Sequence, residues 1–289
     1  MTTTTPGLLT MSGRPSTAQL TLVALGNEID KGLRFGWAER KQIVLELIMF
    51  VPLFLLYAAV ARQGEAVLAG RFEWSFDDRR TAWLLIGFAF GMFFFLQVQK
   101  FFWRQLAEIQ GGTLEQVYLS PLPWWALAAV GRVLASILET LFVVGALYAA
   151  VDLIVGVDID WRPVGLVPAG FLLIGAIGHS LIIGGLTILW KRTEILNDML
   201  LLVLFFLGGI FISLDEMPGW MAALGRLLPV THPIESGRHV LLDGGGLTVS
   251  GDGGLLWMAG LAAAWLATGI AVFHHATQIA RRDGTLTRY

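Results

Sequence analysis

Residues 83–102 read WLLIGFAFGMFFFLQVQKFF, twenty residues whose only formal charge is Lys100, close to the end. An α-helix of that length rises about 30 Å, the thickness of a bilayer's hydrocarbon core. Five further apolar stretches flank it: Ile43 to Ala61, Ala126 to Ala150, Val164 to Trp190, Met199 to Leu214 and Leu255 to Phe273. The fifth stretch of the six is short and ends in Gly208 and Gly209 before Asp215. With 55% hydrophobic residues, 15% charged ones and a mean hydropathy of +0.68, the chain is too apolar for a water-soluble domain. The expected fold is all-α: a polytopic membrane protein with six transmembrane helices. Trp83, Trp103, Trp124, Trp125, Trp190 and Trp257 mark the predicted helix ends, where an indole favours the headgroup region.

The remaining segments divide around these spans. Residues 1–17 are rich in Thr, Ser, Gly and Pro and read as a disordered tail, and residues 18–289 as a single transmembrane domain. Within 18–42, Leu22, Leu25, Ile29, Leu33 and Trp37 recur at spacings of three and four between charged residues, which predicts an amphipathic interfacial helix. Lys and Arg concentrate in the segments that are internal if the amino terminus is internal, including Lys31, Arg34, Arg40, Lys41, Lys100, Arg104, Lys191, Arg192, Arg281 and Arg282. The positive-inside rule then places both termini in the cytoplasm.

Several function classes are excluded. A net charge of -2 without a basic stripe gives no field for nucleic acid. Zero cysteines remove disulfides, thiol catalysis and thiolate metal sites. His179 stands alone in the fourth span and reads as a hydrogen-bonded packing residue. His274 and His275 lie where the sixth span exits, and no H-E-x-x-H or nucleophile motif occurs, so no catalytic residue and no metal site is expected. Glu139, near the middle of the third span with Ser136 one turn away, is costly in lipid and is predicted to face the protein interior. It either borders a translocation path or binds a neighbouring helix.

Between the second and third spans, AEIQGGTLEQVYLSPLPWW runs from Ala107 to Trp125. This segment, within 104–123, resembles the coupling segment of the permeases of the type-2 ATP-binding-cassette (ABC) exporter family. The matching residues are Glu108, Gly112, Thr113, Leu114, Glu115, Ser120, Pro121 and Leu122. The stretch Phe206 to Gly245 is similar to the family's fifth span followed by outer re-entrant helices, here 215–243. Met217, Trp220, Leu224 and Leu227 repeat there at helical spacing, and Pro229 and Pro233 break it in two. The ending Ala280 to Tyr289 is similar to the family's short basic tails.

The resemblance implies the transmembrane subunit of an exporter in a bacterial cytoplasmic membrane. It would work with two copies of a separate ABC-type ATPase, which hold ATP and magnesium, and with a second permease copy or a related permease. No cofactor is expected on this chain, whose lysines fit no G-x-x-x-x-G-K-[ST] motif. The Met217–Pro218 piece looks more like the drug and natural-product efflux branch, which implies a small amphipathic substrate crossing past Glu139, Phe205, Phe206, Met217 and Pro218. The alternatives are a polysaccharide or lipid exporter of the same family, a membrane-embedded enzyme or a channel.

Overall fold

The computed structural model describes residues 16–38, 40–68, 78–112, 132–190, 192–251 and 253–284. Nine α-helices and two 3-10 turns form the described residues, with no strand among them. The aromatic stretch lies in the 33-residue helix α3 (Asp78–Gln110), whose length of about 50 Å exceeds a bilayer core. A helix apolar on all sides must be surrounded, and Leu85, Phe88, Phe101 and Phe102 are fully buried. The surrounding long helices are α2 (Arg40–Leu68), α4 (Arg132–Val155), α5 (Leu166–Trp190, entered through a 3-10 turn at Pro163–Gly165) and α9 (Leu255–Arg282). Pro52 sits inside α2 and removes one backbone hydrogen bond without ending the helix. Before them lies α1 (Thr17–Ala38), which packs against α4 and leaves Leu22, Val23 and Trp37 exposed.

Among the described residues, five helices are long and apolar enough to cross a membrane: Ile43–Val60, Arg79–Gln110, Ser136–Val155, Pro163–Trp190 and Leu255–Arg282. The fifth apolar stretch of the sequence behaves differently. Its helix, α6 (Glu194–Leu207), starts earlier than Met199 and spans 14 residues, about 21 Å. It stops at Gly208, and Gly209 turns the chain with a φ of 74° that side-chain-bearing residues rarely adopt.

The chain then returns through a 3-10 turn (Leu214–Glu216), α7 (Gly219–Gly225) and α8 (Thr231–Leu242). Pro229 falls at the break between the last two helices. Pro233 does not break anything: it occupies the third position of α8, where the backbone N–H has no intrahelical acceptor to lose.

Helices α5 and α9 meet backbone to backbone. A Cβ built on Gly178 would lie 2.5 Å from the Trp265 carbonyl carbon and 2.6 Å from the Leu266 nitrogen, and one on Gly269 would overlap Gly178. Small residues that let helix backbones touch gain dispersion contacts that lipid tails cannot replace.

After α3, Gly111 and Gly112 (φ 66°) turn the chain. Thr113, Leu114, Glu115, Ser120 and Pro121 of the expected coupling segment lie outside the described residues, as do residues 126–131 of the third apolar stretch, the basic ending 285–289 and most of the amino-terminal tail.

Candidate functional site

The polar residues of α3 are distributed so that each addresses a different neighbour. Gln97, Lys100 and Arg104, at spacings of three and four, face α4. Gln97 Nε2 donates to Ser136 Oγ at 2.6 Å, Lys100 Nζ to Glu139 Oε1 at 2.6 Å and Arg104 Nη2 to Glu139 Oε2 at 2.6 Å. Glu46 of α2 completes the cluster, 3.9 Å from Lys100. All four charged side chains are almost withdrawn from solvent, Glu139 the most, at 7% exposure. On other sides of α3, Gln99 donates to Asp198 of α6 (2.9 Å) and Gln105 to the Gly184 carbonyl of α5 (2.7 Å). Lys31 of α1 reaches Glu108 at 3.5 Å. The half of α3 nearest Gln110 is thus tied by polar contacts to five helices, each tie satisfying groups that lipid could not.

A cavity of about 630 Å³ opens against this cluster, lined by Glu46, Lys100, Arg104 and Glu139 at its polar end and by Met49, Phe50, Phe95, Leu96 and Trp103 elsewhere. A second cavity of about 330 Å³ shares Phe50, Phe95 and Gln99 with it and continues along Met92, Leu201, Leu202 and Phe205. Beyond Phe205 the passage meets stacked rings. Phe205 lies edge-on to Phe211 at 5.2 Å, Tyr57 lies 4.3 Å from Phe211, and the Tyr57 hydroxyl donates to the Phe211 carbonyl at 3.1 Å.

Of the expected path residues, Glu139 and Phe205 therefore line adjoining cavities. Phe206 projects from the opposite, exposed face of α6, and Met217 and Pro218 line neither of these two cavities. Glu139 both borders a cavity and binds a neighbouring helix.

Near the other end of α3, Arg238 of α8 penetrates the fold. It donates to the carbonyls of Trp83 (3.1 Å), Gly209 (2.7 Å) and Ile210 (2.7 Å), and its guanidinium stacks 3.3 Å from the Trp83 ring centroid. The Gly209 and Ile210 carbonyls are left over just past the end of α6, and one planar fork closes them while also reaching the Trp83 carbonyl of α3. Gly87 leaves room for it, since a Cβ there would overlap the guanidinium. Trp83 consequently serves as a platform for Arg238 rather than as a free interfacial indole. Arg238→Leu is expected to cost about 2 to 4 kcal/mol, seen as a lower melting temperature in detergent, and Arg238→Lys to restore only part of it, because one ammonium nitrogen cannot occupy the three separate positions from which Nε, Nη1 and Nη2 reach the carbonyls.

His179 departs from expectation. It is buried between the rings of Phe94 (5.7 Å) and Trp265 (5.6 Å), and neither ring nitrogen has a hydrogen-bond partner among the described residues. Its neighbours present ring faces instead of acceptors. No metal-holding group of His, Asp and Glu occurs among the described residues.

Sequence reasoning singled out Glu139 but passed over Glu46, Gln97, Gln99, Gln105 and Arg238. The signal for the first four was present: polar residues inside apolar stretches, at helical spacing, have to find partners. Arg238 carried no such signal, because its carbonyl partners come from a helix end brought close only by the fold.

The comparisons with known proteins follow the same lines. A search of curated proteins gives no match. A family model described as ABC-2 type transporter matches residues 32–242, from within α1 to the end of α8 and well over half of the 289 residues. The chain belongs to the ABC-2 type transporter family, as a multi-pass membrane permease.

Proposed function

We propose that this chain is the permease subunit of an ABC exporter of the drug and natural-product type, moving an amphipathic small molecule outward with ATP hydrolysed on a partner ATPase. One observation supports the substrate class most: the two adjoining cavities pass from a charged end to walls of Phe, Met and Leu, a lining that suits an amphiphile better than a sugar polymer. A polysaccharide exporter would need a continuous polar track, and the second cavity offers mainly Gln99 and Asp198.

The subunit crosses the membrane six times, with α6 and the α7–α8 hairpin together filling the fifth position, and both termini lie in the cytoplasm of a bacterial cell. Two ATPases sit beneath two permeases, and the segment following Gly112 carries their closure into α3 and α4. Because Lys31 of α1, Glu108 and the Glu139 cluster lie along that end of α3, a displacement of the segment reaches α2, α4 and both cavities. The ATPase must contact the two states of the permease differently, or its closure would shift nothing.

The test is to purify the tagged chain with its candidate ATPase, as wild type and as Glu115→Arg. Wild type should retain the ATPase, whereas the reversal should insert normally and lose association by about 2 to 5 kcal/mol. If Glu115→Arg holds the ATPase as well as wild type does, Glu115 is removed from the contact; if wild type holds none, the exporter reading fails.

A further inference from the structure

We propose that the cavity between α2, α3 and α4 is a headgroup site for zwitterionic amphiphiles. The charges lining it balance among the described residues: Glu46 and Glu139 against Lys100 and Arg104. They also interlock, since both cations hold the two oxygens of Glu139 and Lys100 lies 3.9 Å from Glu46. Against charged side chains so withdrawn from solvent, a guest with one net charge would leave a charge of the same sign uncompensated, at a cost that disfavours it.

A zwitterion leaves no residue of charge. Its anionic group takes donors of Lys100 and Arg104 that Glu139 does not use, while its ammonium group meets Glu46 and Glu139, so the internal pairs are kept and a second set is added. Arg presents five N–H donors and Lys three, which lets both bind an added anion while keeping Glu139. Trp103, half exposed at the cavity wall, offers a ring face of the kind that attracts quaternary ammonium groups.

The rest of the lining suits a chain. Met49, Phe50, Phe95 and Leu96 lead from the charged end to the second cavity, whose walls are Met92, Leu201, Leu202 and Phe205. At about 630 Å³, the first cavity lies within the range of small-molecule sites. The same headgroup chemistry belongs to bilayer lipids and to exported amphiphiles. The site rests on the exporter reading only for the further statement that its guest is cargo.

The absence of cysteine makes the test direct. Ala107 lines the cavity and is exposed, so Ala107→Cys reports occupancy through its rate of maleimide labelling, with Met49→Cys as a second reporter and exposed Arg282→Cys as a control. The full chain is placed in nanodiscs of phosphatidylglycerol and offered dodecylphosphocholine, dodecyltrimethylammonium or dodecyl methyl phosphate, a phosphodiester with a single negative charge.

Saturating dodecylphosphocholine should slow labelling at the cavity by about tenfold and leave the control unchanged, and the singly charged chains should slow it less than about twofold. Glu46→Gln, which makes the described lining net positive by one charge, should move the preference to dodecyl methyl phosphate. Equal slowing by all three probes, no slowing, or an unchanged preference in Glu46→Gln would overturn the proposal. In discs of phosphatidylethanolamine, slow labelling without added probe assigns the guest to the bilayer, and fast labelling assigns it to cargo. The measurement needs no ATPase, so its failure would leave co-purification untouched, and failure of co-purification would leave the headgroup site standing.

Discussion

Glu139→Leu is expected to destabilise the chain by about 3 to 5 kcal/mol, because it leaves Lys100 and Arg104 buried without the carboxylate that each contacts at 2.6 Å. Leucine fits the apolar surroundings of a membrane helix, so the loss arises from the stranded cations rather than from the new side chain. Two comparisons isolate that cause. Glu139→Gln keeps the shape and hydrogen-bonding capacity but not the charge, and should fall between wild type and leucine. The triple variant Glu139→Leu, Lys100→Met, Arg104→Met removes all three charges and should recover most of the stability while abolishing transport. Melting temperature in detergent and ATP-driven efflux are the readouts. Unchanged stability together with unchanged efflux in Glu139→Leu would remove the residue from both roles.

Gly178→Leu should be comparably severe for a steric reason. Its Cβ would lie 2.5 to 2.6 Å from backbone atoms of Trp265 and Leu266, which cannot turn aside as a side chain can. Helices α5 and α9 have to separate along their contact, with a loss of about 3 kcal/mol or more and a sharp fall in folded yield from membranes. Gly170→Leu on the same helix meets nothing within 4 Å and should be tolerated. If the two variants melted alike, close α5–α9 packing would not hold the subunit together.

The long spans were legible because hydrocarbon imposes one rule on every residue it touches, and the rule is written in composition. Ile43 to Ala61 and Val164 to Trp190 match the apolar spans Ile43–Val60 of α2 and Pro163–Trp190 of α5 within one residue at each end on that rule alone, although α2 itself continues to Leu68. The fifth stretch was legible as apolar and short, ending at Gly208 and Gly209; what was not legible is that Arg238, from a distant helix, closes the carbonyls freed at that turn. Pro233 misled for the related reason that a proline's effect depends on its place in a helix, and that place is set by where α8 begins.

At the site, Glu139 was visible because an acid in a span must be explained, whereas its partners Lys100 and Arg104 read only as charges near a helix end. What joined them was the lateral packing of α3 against α4, which no periodicity within one segment encodes. Met217 and Pro218 were drawn from resemblance rather than from physics, and the fold leaves them apart from the two cavities.

The central claim is ATP-driven outward movement of an amphiphile through this subunit. Inside-out membrane vesicles containing the chain and its ATPase should accumulate a fluorescent amphipathic dye when ATP and magnesium are added, and should stop doing so when ATP is replaced by a non-hydrolysable analogue. Dye uptake that proceeds equally without ATP, or no uptake although the ATPase is bound and hydrolysing, would contradict the account.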